Sequence, residues 1–271
     1  MPFSKITAEK ISRAIIRQFE ELILQGVLRP GDRLPAEREL SERMDVSRPT
    51  LREALSEMEA RGLIEAHPGG GTYVAQVLGS AFAPPLIELF AGHDRALFDY
   101  IAFRRDIEGL AAERAAAQAT GADLSGIEAV FLRLEDAANR GDKEEAARLD
   151  AEFHMAIVEA AHNVVMLHVM RSLSELLVRG VFYNRDAVHG MPEGRATLMA
   201  QHRKIRDAVL ARDGAGARAG VEAHMDYVAG ALREAERVRS REEIAALRQS
   251  HARLSLPRRR SRRAPDGTSV G

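Results

Sequence analysis

Apolar side chains recur every three to four positions near the start of the chain, between Ala8 and Gly26. The members of this stripe are Ile11, Ile15, Ile16, Phe19, Leu22 and Ile23. This period predicts one amphipathic helix that ends at Gly26. The pattern continues with a short predicted helix over residues 36–43 and, after a turn near Asp45, a third helix over residues 48–61.

Two short extended segments follow the third predicted helix. Residues 63–66 and 72–77 flank a glycine-rich stretch at 67–71, a pattern typical of a two-stranded hairpin. Leu51, Leu55 and Met58 share one face of the third helix, and we expect them to pack into a small core. The order helix, turn, helix, hairpin predicts a winged helix-turn-helix, in which the second helix of the pair enters the major groove of DNA.

The amino-terminal end of that second helix carries the residue types that groove recognition needs. Ser47 can cap the helix, whose exposed backbone N–H groups favour a phosphate. Arg48 and Arg52 lie one turn apart on one face, and arginine suits both bidentate guanine recognition and phosphate binding. The alternative for each arginine taken alone is a solvated surface side chain.

The rest of the chain predicts a second, all-helical domain. Residues 79–85 contain adjacent prolines, which mark a boundary. Helix breakers then divide residues 86–240 into six or seven helices, as in an antiparallel bundle. The predicted organisation is a DNA-binding domain over 1–78, a linker over 79–94, a helical effector-binding and dimerisation domain over 95–240, and a basic, disordered tail over 241–271. The tail could alternatively add phosphate contacts that weaken with salt.

Composition narrows these possibilities. With 45% apolar and 29% charged residues, the chain has the balance of a globular protein. The absence of cysteine excludes disulfides and thiolate metal sites. No stretch of about 18 apolar residues occurs, so we expect a cytoplasmic protein with no membrane partner. Acids and bases nearly balance in residues 1–78, so charge does not support nucleic-acid binding and the motif has to carry that prediction.

Four residues of the helical domain have the chemistry of a metal site. Asp150 and His154 are spaced to share one helix face, and His202 and His224 each lie in the middle of a later predicted helix. One carboxylate and three imidazoles suit Zn, Ni, Mn or Fe and leave positions open for a ligand or water. The alternative is three polar histidines, each with a hydrogen-bond partner.

The amino-terminal motifs resemble the GntR family of transcriptional regulators over about 65 residues. The resemblance rests on residues 34–40 (LPAEREL), 46–55 (VSRPTLREAL) and 69–74 (GGGTYV), with Gly62-Leu63 between them. It implies that six residues touch the operator: Arg38, Ser47, Arg48, Thr50, Arg52 and Gly69. Pro68 stands where some relatives place a histidine, which puts a base contact from the wing tip in doubt.

Residues 97–235 resemble the all-helical ligand (FCD) domain of the FadR branch of that family. There an Asp-x-x-x-His pair and two later histidines form a metal centre below an effector pocket, which implies this role for Asp150, His154, His202 and His224. The family also has an arginine in a Phe-Arg-x-x-x-Glu pattern, matched here by residues 103–108. Arg104 would therefore hold a carboxylate of the effector, with Glu108 supporting it.

Within the branch, the sequence is similar to members that sense pyruvate, lactate or glycolate, which implies a 2-hydroxy or 2-oxo acid effector. We therefore expect a homodimeric repressor that binds a short inverted repeat in double-stranded DNA, under the control of a small carboxylate at a divalent metal ion, zinc first. Two alternatives remain open: a ligand-independent architectural DNA-binding protein and a metal-dependent hydrolase.

Overall fold

The computed structural model describes residues 9–67, 69–75, 93–178 and 192–255. Among these residues, no helix is both long enough and apolar enough to cross a membrane. Three predictions concern positions outside the described residues: the proline-containing boundary at 79–85, the wing residue Pro68, and the basic segment after Ser255.

The amino-terminal unit, called the reading head below, has three helices and a two-stranded wing. The helices are α1 (Glu9–Leu24), α2 (Glu37–Arg43) and α3 (Arg48–Ala60). Strands β1 (Ile64–His67) and β2 (Gly71–Val74) pair antiparallel, with Ile64 opposite Val74 and His67 opposite Gly71. This order confirms the predicted winged helix-turn-helix.

A small apolar core joins the elements of the reading head. Leu51, Leu55 and Met58 are buried in it, as their spacing on α3 predicts. The face of α1 that packs against them contains Ser12, Ile15, Ile16, Phe19 and Ile23. Ile11 was predicted on this face but is 52% exposed, because it lies one position away from the row of buried residues that begins at Ser12.

The carboxyl-terminal unit, called the helical domain below, contains six helices in its described part. They are α4 (Asp94–Gln118), α5 (Gly121–Arg140), α6 (Lys143–Ala160), α7 (Val164–Val178), α8 (Pro192–Leu210) and α9 (Gly214–Ser255). This number agrees with the predicted six or seven. The fold is therefore mainly helical, with the wing as the only sheet among the described residues.

Helix α6 carries Asp150 and His154, and capping interactions define where it starts. Gly141 ends α5 with a left-handed backbone conformation at φ 73°. The side chain of Asp142 then accepts a hydrogen bond from the backbone N–H of Glu145, which caps α6. Helix α6 packs against α4, α5 and α7, while α9 packs against α4 and α8.

The structure differs from the disordered tail predicted after residue 240. Helix α9 continues to Ser255, so the first part of the predicted disordered tail is helical. Residues 241–255 (REEIAALRQSHARLS) contain strong helix formers and neither glycine nor proline, and Pro257 is the next residue that stops a helix. Charged residues of both signs suit an exposed helix as well as a disordered segment.

Candidate metal centre, effector site and DNA-reading surface

Three histidines from three helices meet inside the helical domain. His154 on α6, His202 on α8 and His224 on α9 are all buried. Their ring centroids are separated by 5.4 Å for His154 and His202, 5.2 Å for His154 and His224, and 4.5 Å for His202 and His224. One nitrogen from each ring can be chosen so that all three lie within 4.8 Å of one another. This group could hold a metal ion.

The hydrogen bonding of these rings fits a metal site. Among the described residues, neither ring nitrogen of His202 has a hydrogen-bond partner, and neither does Nε2 of His154. A buried polar atom without a partner costs free energy, and native structures rarely keep one without a reason. The alternative of three individually hydrogen-bonded histidines therefore does not describe His202, whereas lone pairs directed at a cation would account for these atoms.

Asp150, the fourth predicted ligand, lies beside the cluster. Its Oδ1 is 3.1 Å from Nε2 of His202, although the two atoms are not aligned as a hydrogen bond. Burial raises the pKa of Asp150, but the interaction with His202 and the nearby rings of His154 and His224 hold it well below the ordinary value. The carboxylate is therefore ionised and lies next to His202, but it is not among the ligand atoms that all lie within 4.8 Å of one another, so its role as a fourth ligand stays a prediction.

Two further residues contact Nδ1 of two of these histidines. Nδ1 of His154 lies 2.7 Å from Oε2 of Glu108, and Nδ1 of His224 is hydrogen-bonded to Oε1 of Gln201 at 3.0 Å. Burial is the main cause that lowers the pKa of His224 well below its ordinary value, so this imidazole is neutral at pH 7. Nothing in the sequence marks Gln201 as a functional residue except its place next to His202.

Arg104, the predicted effector-binding residue, lies close to this centre on α4. It is buried, and its Nε donates to Oε1 of Glu108 at 2.5 Å. Its guanidinium also lies over the ring of Tyr100, 5.9 Å from the centroid. Burial raises the pKa of Glu108, but Arg104 and His154 lower it to about 2. Glu108 therefore pairs with Arg104 and also lies next to His154, and the role of Arg104 in holding an effector carboxylate stays a prediction.

A surface cleft gives access to one side of the centre. Its enclosed space is about 20 Å³, room for about one water molecule, between α5, the start of α6 and α8. Asp150 and His202 line this cleft together with Lys143 and Arg195. The cleft therefore combines two candidate metal ligands with two cationic side chains that attract an anion.

The predicted operator contacts lie at the surface of the reading head. Ser47 caps α3, since its Oγ accepts from the backbone N–H of Thr50 at 3.3 Å. Arg48 is exposed, and Arg52 is exposed with its Nε 2.6 Å from Oε2 of Glu37. Arg38 is 75% exposed and lies 3.9 Å from Glu42. Gly69 lies in the wing tip at φ 73°, a conformation that favours glycine.

The helical domain holds the reading head through contacts that the sequence analysis did not predict. Oε1 of Glu159 accepts from Nη2 of Arg171 at 2.7 Å and from Nη2 of Arg29 at 3.1 Å. Nη2 of Arg171 also donates to the backbone oxygen of Gly26 at 3.2 Å, where a Cβ atom would lie only 2.6 Å from the guanidinium. Nε2 of His168 lies 3.0 Å from the backbone oxygen of Leu24. We call this group the interdomain contact.

Comparisons with known proteins match both units. Residues 11–74 match the bacterial regulatory proteins of the gntR family, and residues 99–227 match the FCD domain. The chain is 36% identical to the Glc operon transcriptional activator of Escherichia coli (strain K12) over 206 residues, covering 74% of this chain and 81% of that protein.

Two further relatives are transcriptional regulators as well. The putative L-lactate dehydrogenase operon regulatory protein of Escherichia coli (strain K12) is 33% identical, with 82% of this chain and 86% of that protein covered. The transcriptional regulator LutR of Bacillus subtilis (strain 168) is 31% identical, with 78% and 96% covered. These relatives are regulators and not enzymes, which removes the hydrolase alternative. The chain belongs to the gntR family of bacterial regulatory proteins, as a DNA-binding transcriptional regulator with a carboxyl-terminal FCD domain.

Proposed function

We propose that the helical domain binds a divalent metal ion through His154, His202, His224 and Asp150. The unpartnered buried nitrogens of His154 and His202 are the observation that carries this proposal. Imidazole and carboxylate ligands without thiolate suit zinc, our first choice, and also Ni, Mn or Fe. Burial keeps His224 neutral, which is the ligand-competent form.

The effector in this proposal is a small carboxylate, such as lactate, glycolate or pyruvate. Its carboxylate would meet positive charge from Arg104 inside the domain and from Lys143 and Arg195 in the cleft. The printed name of one relative refers to an L-lactate dehydrogenase operon, which supports a 2-hydroxy or 2-oxo acid. When bound, the cation supplies a Lewis-acidic charge that the carboxylate and the 2-oxygen of such an acid can share.

On the DNA side, we infer a homodimer that places two copies of α3 in successive major grooves of an inverted repeat. Arg38, Ser47, Arg48, Thr50, Arg52 and Gly69 provide the contacts with the operator in each subunit. The regulator acts as a repressor in this proposal. Because one relative is named an activator, a reporter gene behind the operator decides the sign: repression predicts that its expression rises when the regulator is deleted.

The interdomain contact supplies a physical route between the two sites. Helix α6 carries Asp150 and His154, and near its end it carries Glu159, which accepts from Arg29 of the reading head. A rearrangement of α6 around the metal and effector therefore changes the contact between Glu159 and Arg29 of the reading head. Coupling between two such sites is typically worth about 1–3 kcal/mol, or roughly 5- to 150-fold in affinity.

Metal analysis of the purified protein, combined with thermal-shift screening of small carboxylates, tests the proposal. Zinc at 100 times its dissociation constant should stabilise the protein by about 2.7 kcal/mol, and an added 2-hydroxy or 2-oxo acid should raise the melting temperature further. His202→Ala should abolish both shifts. A protein that binds no metal and responds to no carboxylate would support the architectural DNA-binding alternative instead.

A further inference from the structure

The carboxylate of Glu108 contacts two side chains with different predicted roles, one in binding the effector and one in binding the metal. One oxygen accepts from Nε of Arg104, the predicted effector-binding residue, and the other lies 2.7 Å from Nδ1 of His154, although these two atoms are not aligned as a hydrogen bond. All three side chains are buried. An ionised carboxylate can only accept hydrogen bonds, so the ring nitrogen that faces it must carry the proton. His154 then keeps the lone pair on Nε2, the atom that has no partner among the described residues.

Gln201 makes a similar contact with another histidine of the cluster, His224, but with no residue predicted to bind the effector. Its side-chain oxygen accepts from Nδ1 of His224, which leaves Nε2 of that neutral ring as the lone pair. Each of the two contacts also crosses between helices, from α4 to α6 for Glu108 and from α8 to α9 for Gln201. Partners of this kind fix the tautomer and the orientation of a metal-binding histidine.

We propose that Glu108 is a positioning residue for both halves of the site, holding His154 for the metal and balancing the charge of Arg104, whereas Gln201 positions His224 for the metal alone. This inference rests on the proposed function, since it assumes that the three histidines bind a cation. It adds a specific consequence. The negative charge of Glu108 strengthens metal binding, but it competes with an effector carboxylate for Arg104.

The two effects predict changes of opposite sign in Glu108→Gln. Zinc affinity should fall about 10- to 100-fold, as is usual when the partner of a metal-binding histidine is altered. In metal-free protein, the buried Arg104 loses the negative charge of Glu108 as a competitor, so L-lactate should bind about fivefold more tightly or better. Gln201→Leu should lower zinc affinity as well, but it should leave the L-lactate affinity of metal-free protein unchanged.

Competition titration with a chromogenic chelator measures zinc affinity, and calorimetry measures L-lactate binding to the full chain. Glu152→Gln is the matched control, because Glu152 lies on the same helix as His154 but pairs with the exposed Arg133 and Arg148. It should change neither affinity. Equal zinc affinity in Glu108→Gln and wild type would overturn the inference, and so would L-lactate binding that stays constant or weakens.

A measurement on the unmodified protein keeps the inference testable if Glu108→Gln does not fold. Long-range 15N NMR of metal-free wild type should show His154 and His224 protonated on Nδ1. Protonation of His154 on Nε2 would contradict the role of Glu108. Failure of wild type to bind zinc at all would instead contradict the proposed function, so the two failures are distinguishable.

Discussion

The reading head presents its candidate functional residues to solvent, whereas the helical domain buries them. Arg38, Arg48 and Arg52 come from two adjacent helices close together in sequence, and all three are exposed. The histidines of the candidate metal centre come from α6, α8 and α9 and are at most 5% exposed. The surface arginines can be replaced with little effect on folding. The buried histidines share their environment with the core, so stability and ligand binding are coupled there.

The largest expected effect is a loss of stability from a substitution in the core of the helical domain. Phe153 is fully buried, and its ring centroid lies 5.4 Å from that of His202 and 6.0 Å from that of Phe131. Phe153→Ala should destabilise the protein by about 3–5 kcal/mol in urea unfolding, because it leaves a cavity. Zinc affinity should fall with it, since the cavity lets the imidazole of His202 move.

Leu132→Ala on the neighbouring helix α5 is the control for this change. Leu132 is 50% exposed, so its truncation should cost no more than about 0.5 kcal/mol. The inferred coupling between the core and the metal centre would be contradicted by either of two results. Phe153→Ala could lower the free energy of unfolding less than Leu132→Ala does, or it could lower it without any loss of zinc affinity.

The next effect concerns the reading head and should leave stability alone. Arg48→Ala and Arg52→Ala should each cost about 1–3 kcal/mol of operator affinity, the range of a bidentate contact with a base. Fluorescence anisotropy at fixed salt measures this affinity. Arg140→Ala, at an exposed arginine that pairs with Asp136 on α5, should bind the operator as wild type does. Unchanged affinity in Arg48→Ala would remove α3 as the recognition helix.

The smallest expected effect lies between the two regions. Glu159→Ala removes the acceptor for Arg29 and Arg171, and a partly exposed ion pair of this kind is worth about 0–1 kcal/mol. Zinc affinity should stay the same. The effect of L-lactate on operator affinity should shrink, because the helical domain then holds the reading head less firmly.

Glu145→Ala provides the matched control at the opposite end of α6. Glu145 pairs with Arg148 in the same helix. Its removal should leave the response to L-lactate intact. A full response in Glu159→Ala would show that the interdomain contact does not transmit the signal.

The comparison of the two regions also explains how much the sequence could predict. In the reading head the signals are local: Ser47 caps α3 only three residues from its partner, and the glycines of the wing tip adjoin both strands. These patterns predicted the elements to within a few residues. The spacing of Asp150 and His154 was equally local, and it placed both on one helix.

The missed features depend on packing between distant parts of the chain. Arg29 and Glu159 are 130 positions apart, and no local pattern indicates that they meet. The contact of Gln201 with His224 likewise depends on the packing of α8 against α9. The positions of His202 and His224 in separate helices do not determine which helix faces meet. Only the family resemblance predicted that both histidines converge on His154. The length of α9 was missed because an exposed, charged helix resembles a disordered segment in composition.

The most direct test of the central claim is a titration of the zinc-loaded full chain onto its operator, isolated by selection from random duplexes, with and without a 2-hydroxy or 2-oxo acid. We expect the selected DNA to be an inverted repeat, and the affinity of the protein for it to change roughly 5- to 150-fold when L-lactate, glycolate or pyruvate is added. His202→Ala should still bind this DNA but should not respond. Wild-type affinity that none of these acids alters, or a full response in His202→Ala, would contradict the account.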